Sequence, residues 1–316
     1  MRQRKGVSTT SAPPTGAAPT AYVDAAHLGS VSGAHERGVA HDYQASARAG
    51  MATSETGTLQ RRPSRLDEMD CSLYYTPQLV WLQVMDRVPY ELSHHFVSAL
   101  PPQHELMLRR IREQHIRAYS AEAAADVELL RRMWNGHNRV TFAGDELAFS
   151  AASHSVNDRW KEMGFQGRDP STDFRGAGVF GLAQLVYLVE RHPQQWSVTL
   201  SPDYLAGAAG LNVSMRLLTL LGINSSVNQF SSTILSTYSA CEARLQLCRL
   251  IHDSDIDVAV QRLNEVYCFA MRLLHYRWMR STRNIMEFNQ QLSQMYKELE
   301  RLLYVSKSLE ELCELV

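Results

Sequence analysis

Trp160-Lys161-Glu162-Met163-Gly164-Phe165-Gln166-Gly167-Arg168-Asp169-Pro170-Ser171-Thr172-Asp173-Phe174-Arg175-Gly176-Ala177-Gly178 is the densest stretch of this chain, and its reading decides the rest. Asp169-Pro170 makes a turn. Ser171, Thr172 or Asp173 can cap the helix that follows by accepting its orphan N–H groups. Gly176, Gly178 and Gly181 put a ridge without side chains on that helix, although each glycine weakens a helix by roughly 1 kcal/mol relative to alanine. Three so close together predict tight backbone approach by another element, in the fold or in a partner. Arg175 is expected in the helix's first turn, where a cation opposes the dipole at about 0.3–1 kcal/mol. Local physics prefers Asp or Glu there. Arg175 is therefore placed for something else, either an ion pair with Asp173, Asp169 or a distant acid, or contact with another molecule.

Outward from this stretch the pattern is helical. Val179, Leu182, Leu185, Val186 and Val189 recur at helical spacing until His192-Pro193. Leu211, Met215, Leu218 and Leu221 form a second stripe before Gly222. Two long helices are expected at about Ile256 to Arg280 and about Thr282 to Tyr304. Upstream, Leu106, Ile111 and Ile116 share a stretch with Arg109, Arg110, Arg112 and Arg117, which reads as a solvated face or as a surface for an acidic partner or anionic lipid. Val127, Leu129, Leu130 and Met133 continue the helical spacing, with Gly136 as a candidate stop. The apolar run from Leu79 is ambiguous between helix and strand, and residues 140 to 158 read as irregular. No β-hairpin signal, β-α-β alternation or internal repeat appears. The expectation is an all-α fold, a single multi-helix domain over residues 66–316.

Residues 1–65 are rich in Ser, Ala, Gly, Thr and Pro and poor in large aliphatic residues. They read as a disordered segment, because they cannot bury enough apolar surface to offset their ordering entropy. Two other readings are open: an organelle transit peptide, or translation from Met51. Arg61-Arg62-Pro63-Ser64-Arg65 reads as a solvated linker or as a phosphosite at Ser64. The formal net charge is −1, so no global field points to nucleic acid. The cysteines, Cys71, Cys241, Cys248, Cys268 and Cys313, fall in no C-x-x-C pair and read as free, mostly buried thiols in a reducing compartment. Gly176 to Gly181 satisfies G-x-G-x-x-G, but a helix-start signal precedes it where a dinucleotide site needs a strand. His104-Glu105 lacks the second zinc-ligand histidine, since position 108 is Leu. No metal, cofactor or nucleotide site of the chain's own is expected.

The stretch from Trp160 to Leu185 resembles the signature of the ELMO domain family, W-x3-G-F-Q-G-x-D-P-x-T-D-F-R-G-x-G-x3-L-x2-L. Met163 stands where the family usually has Ile, Val or Leu. A weaker similarity runs from about 70 to 305, including Leu129–Trp134 and Ile285–Asn289. The small members of this family are GTPase-activating proteins for Arf-family and Arf-like GTPases, and the arginine of T-D-F-R-G is required for that activity. The resemblance therefore implies that Arg175 is catalytic, stabilising the transition state of GTP hydrolysis in trans. It implies GTPase contact or motif roles for Gln166, Gly167, Asp169, Thr172, Asp173, Gly176 and Gly178. Trp160, Gly164, Phe165, Pro170, Phe174, Leu182 and Leu185 are expected to be structural; Gln166 alternatively reads as a satisfied buried amide. The implied partner is a small GTPase in its GTP form, with peripheral membrane contact, no transmembrane segment, and a cytoplasmic location at an endomembrane or organelle surface. The same resemblance admits a second reading, a non-catalytic scaffold like the larger ELMO proteins of Rac exchange-factor complexes. Those carry armadillo-like repeats, a pleckstrin-homology domain and a proline-rich tail, none of which reads in this sequence.

Overall fold

Helix α8, Ile256–Arg280, is the axis of the fold, and its register explains the layers around it. Asp255 starts it by accepting the Asp257 N–H at 2.9 Å. Leu263, Val266, Tyr267, Phe269, Ala270, Met271, Leu273 and Leu274 are all buried, so the helix is covered on most of its circumference. The computed structural model describes residues 76–96, 98–142, 149–150, 155–200, 203–223 and 237–315. The expectations for residues 1–65, the domain start at 66 and Cys71 lie outside them.

The helices before α8 are α1 (Pro77–Met85), α2 (Pro102–His115), α3 (Ala124–Phe142), α4 (Gly178–Arg191), α5 (Pro193–Thr199), α6 (Ala206–Leu221) and α7 (Tyr238–Ile251). After it come α9 (Phe288–Val305) and α10 (Leu309–Cys313). Single turns of helix stand at Tyr90–Ser93, His94–Phe96, Arg159–Glu162, Pro170–Asp173 and Ile285–Glu287. Among the described residues there is no strand, and the fold is all-α. No described helix is long and apolar enough to cross a membrane. α3 packs along α4, α6 lies on α4, and α7, α8 and α9 pack against one another. α9 turns Leu292, Met295, Leu299, Leu302 and Leu303 inward at three- and four-residue spacing. α1 docks Leu79, Leu82 and Met85 against Tyr238, and Asp86 accepts the Ser239 N–H at 2.8 Å.

The structure corrects several sequence expectations. Gly136 does not stop α3, which runs on to Phe142. A Cβ at Gly136 would lie 2.6 Å from Val189 Cγ1, so this glycine lets α3 and α4 approach closely. Leu106 faces solvent, while Met107, Leu108 and Ile111 carry α2's buried side. Cys248 and Cys268 are buried free thiols, and Cys241 and Cys313 are half-buried.

Candidate functional site

The signature stretch forms a re-entrant turn between α3 and α4, and its aromatic residues anchor it from below. Trp160, Phe165 and Phe174 are all buried, as expected of packing residues. Trp160 meets Phe165 edge-on at 5.6 Å and Trp134 at 5.3 Å. Phe165 meets Phe174 at 6.0 Å, and Phe174 meets Tyr119 at 5.1 Å. Each such pair contributes roughly 0.5–1.5 kcal/mol beyond area burial. Pro170, Leu182, Leu185 and Met163 are buried as well.

Backbone bonds then lock the turn onto two helix ends. The Met163 and Gly164 carbonyls accept the Gly207 and Ala208 N–H groups at 3.0 and 2.9 Å. α6 has no side-chain cap, so the turn satisfies its orphan donors. Gly164 is held at φ 82°, and a Cβ there would sit 2.2 Å from the Ala206 nitrogen. At α4 the corresponding donor, Val179 N–H, goes to the Arg117 carbonyl at 3.0 Å.

This arrangement revises the sequence reading of the turn. None of Ser171, Thr172 or Asp173 caps α4, whose N-cap Ala177 makes no side-chain bond. Asp169 instead accepts the Ser171 N–H at 2.9 Å and caps the short turn Pro170–Asp173. Asp173 accepts the Gln166 N–H at 2.8 Å, and Thr172 Oγ1 donates to the Asp169 carbonyl at 2.9 Å. These three polar side chains hold the turn's shape. Burial pushes the Asp173 carboxyl above its ordinary value, against the opposing pull of the Gln166 N–H and of nearby Arg175.

Arg175 is not in the first turn of α4. It lies three residues ahead of Gly178, so the dipole argument does not apply to it. Its side chain is exposed, and Nε donates to the Thr172 carbonyl at 2.8 Å. Among the described residues no carboxylate lies within 4.0 Å of its guanidinium, so neither Asp173 nor Asp169 forms an ion pair with it. Gln166 is exposed, not a buried amide, and Thr172 is exposed beside it in the same turn. Gly167, Asp169 and Gly176 are half-buried.

Gly178 is buried at φ 59°, with the Arg117 carbonyl oxygen 2.1 Å from where a Cβ would stand. Its requirement for glycine is internal to the fold. Gly176 abuts Met215, and Gly181 abuts Ala177 and Leu211, so the close approach foreseen for the glycines occurs within the fold.

Sequence reading missed the second half of the site. Arg117 is not merely part of a solvated face: one arm donates to Asp126 Oδ2 at 2.7 Å and the other to Oδ1. The Asp126 side chain is fully buried and also accepts the Ser120 N–H at 2.9 Å. The bond from Arg117 holds this carboxyl below the usual carboxylate range. Arg117 and Asp126 sit outside any helical period relative to each other, and only an Asp on an apolar helical face hinted at the pair. Arg159 is a further supporting residue, stacked 4.5 Å over Phe142 and bonded to Asn138 at 3.1 Å.

Among the described residues no cluster of His, Cys, Asp or Glu could hold a metal ion. An open cleft of about 600 Å³, lined by Gly136, Arg139, Val189, Glu190 and Gln194 among others, lies by the far end of α4 and includes no signature residue.

Residues 106–292 match the ELMO/CED-12 family. The chain is 29% identical to ELMO domain-containing protein C of Dictyostelium discoideum over 148 residues, 45% of this chain and 22% of that protein. It is 32% identical to human ELMO domain-containing protein 2 over 111 residues, 33% of this chain and 35% of that protein. Against bovine ELMO domain-containing protein 1 the identity is 27% over 139 residues, 42% of each chain. The matches thus span well under two thirds of these relatives' own lengths. No solved structure matches the chain. The family match covers more than half of this all-helical chain and takes in the whole Trp160–Leu185 turn: the chain belongs to the ELMO/CED-12 family.

Proposed function

We propose that this chain is a GTPase-activating protein for Arf-family or Arf-like small GTPases, acting on the GTP-bound form and supplying Arg175 in trans. The observation that carries the reading is the state of Arg175: exposed and, among the described residues, tethered through Nε alone and without an acid partner. A guanidinium has five N–H donors, and the tether to Thr172 uses one. Those on the two terminal nitrogens make no bond among the described residues, and a planar guanidinium fork suits phosphoryl oxygens. Charge builds on those oxygens during GTP hydrolysis, and an arginine delivered by a partner is worth about 10³–10⁵ in rate. The turn that holds Arg175 is braced by the bonds of Asp169, Thr172 and Asp173, which limits the order lost when it engages. Gln166 and Thr172 share the exposed surface and would contact the GTPase, while Asp169 and Asp173 act as positioning residues. Contact of this kind fits a cytoplasmic protein peripheral to an endomembrane.

The test is single-turnover hydrolysis by a panel of GTP-loaded Arf and Arf-like GTPases, with wild type, Arg175→Ala and Arg175→Lys. Wild type is expected to accelerate at least one member, and Arg175→Ala to lose about three orders of magnitude of that acceleration. Arg175→Lys keeps a charge without the fork and is expected to recover little of it. Equal acceleration by wild type and Arg175→Ala would overturn the reading.

A further inference from the structure

The connection after α8 holds two large apolar side chains out in water: Ile285 is 54% exposed and Met286 83%. Scattered exposed hydrophobics are ordinary. This pair differs because the turn beneath it is built to display it. Ser281 Oγ accepts the Arg283 N–H at 3.1 Å, and Asn284 Oδ1 accepts the Met286 N–H at 3.1 Å. Thr282 Oγ1 donates to Glu287 at 2.7 Å. Arg283 adopts φ 54°, a region non-glycine residues rarely enter, and its guanidinium reaches Asp203 at 3.4 Å.

α6 runs between the connection that carries this pair and the signature turn that carries Arg175. On one flank the signature turn borders α6 through Met163 and Gly164 near its start and through Gly176 against Met215 further along. On the other flank α9 runs parallel to α6. Phe288 stacks on Tyr204 at 5.5 Å, Tyr296 donates to the Asn212 carbonyl at 3.0 Å, and Arg216 pairs with Glu300. Between the flanks Leu205, Ala208, Asn212 and Met215 recur at spacings of three and four; Leu205 and Asn212 are exposed, and Ala208 and Met215 are half-buried. Leu205, 46% exposed, lies at the end of the stripe nearest Ile285 and Met286.

We infer that Ile285 and Met286, with Leu205, form the apolar half of the GTPase-docking face. They seat against apolar side chains of the GTPase while Arg175 addresses its nucleotide. The inference rests on the reading of Arg175 above. Leu205 to Met215 spans about 15 Å of helix, well inside a standard interface of about 800 Å² per partner. A GTPase is favoured over a second copy of this chain by charge. A cation with no acid partner among the described residues complements a phosphate, whereas an identical face offers it acids already engaged within their own turn.

The test is the double variant Ile285→Ala/Met286→Ala, whose melting temperature is expected to match wild type because neither side chain is buried. Two readouts are needed: hydrolysis by the GTPase panel against increasing protein, and binding of the same GTPases loaded with a non-hydrolysable GTP analogue. The double variant is expected to need at least tenfold more protein for half-maximal stimulation, with the plateau rate unchanged. Arg175→Ala should do the reverse, lowering the plateau at a similar half-maximal concentration. Tenfold weaker binding by the double variant supports the docking face even where wild type binds without accelerating, a result that removes only the catalytic role of Arg175. An unchanged concentration dependence in both readouts overturns the docking face and leaves Arg175 untouched. Wild type that neither binds nor accelerates any member overturns both. Self-association of wild type that the double variant abolishes, with the GTPase response unchanged, assigns the pair to a homo-oligomer and also overturns it.

Discussion

Gly178 and Gly167 stand in the same turn and make opposite demands. Gly178 sits at φ 59°, with the Arg117 carbonyl oxygen 2.1 Å from a hypothetical Cβ, and that oxygen is fixed by its bond to Val179 N–H. Gly178→Ala must either break this bond or shift α4, and is expected to destabilise the fold by about 3 kcal/mol in chemical denaturation. At Gly167 the nearest atom to a Cβ is the Asp169 nitrogen at 3.9 Å, an ordinary contact. Gly167→Ala should therefore change stability by less than about 1 kcal/mol. Comparable losses at the two positions would refute this account of the turn. Arg175→Ala belongs with the mild group, because an exposed side chain with one bond to a carbonyl contributes within about 0.5 kcal/mol. Its melt should overlay wild type, so any loss of GTPase stimulation would not come from unfolding.

At the scale of elements, the segment between α2 and α3 clamps the signature turn. The Arg117 carbonyl accepts from α4, its side chain holds the buried Asp126, and Tyr119 packs on Phe174. Arg117→Ala would leave a buried carboxylate without its cation, at an expected cost of about 3 kcal/mol. The sign with pH follows from the direction of the Asp126 shift. A carboxyl held below its usual value stabilises the fold above that value, and the contribution is lost as pH falls through the lowered one. Denaturant melts of wild type and Arg117→Ala should thus differ at pH 7 and converge in strong acid; a constant difference would exclude the pair as the cause. This clamp also marks the limit of what sequence could tell. α8 was legible to its ends, and the stripes of α4 and α6 were legible too, because burial on one side writes a 3.6-residue period into the chain. Arg175, Gln166 and the aromatic anchors were legible as one dense motif. The start of α4 was not, because its orphan donor is satisfied by a carbonyl 62 positions earlier in the chain, between Arg117 and Val179, and leaves no local cap to read. Gly136 was misread for the same reason: its partner, Val189, lies on another helix.

Across the whole molecule, the core ties stability to pH through His137. This residue is buried in α3, where Trp196 Nε1 of α5 donates to its Nδ1 at 3.3 Å. An accepting Nδ1 fixes the neutral tautomer with the proton on Nε2, which faces Thr141 Oγ1 at 3.4 Å. Protonating Nδ1 would set it against the indole N–H inside the core. Burial, with a further push from the Arg159 charge, accordingly lowers the pKa from the usual 6.5 to about 4. Above pH 6.5 both folded and unfolded chains carry this histidine neutral, and it contributes no pH dependence. Between 6.5 and about 4 the unfolded chain takes up a proton that the fold refuses, so stability falls as the solution is acidified. At 1.36 kcal/mol per unit, the loss from this one site approaches roughly 3 kcal/mol by pH 4. His104 and His275 are also shifted down by burial and add to the slope with the same sign. Chemical denaturation at pH 7, 5.5 and 4.5 should show wild type losing stability steadily, and His137→Gln losing measurably less over the same range. Because α3 also carries Trp134, on which Trp160 rests, the display of Arg175 should fail only when the whole core does. The acid limb of GTPase stimulation, corrected for the GTPase's own response, should follow the unfolding curve. A stability profile flat from pH 7 to 4.5, or one unaltered by His137→Gln, would remove His137 from this role.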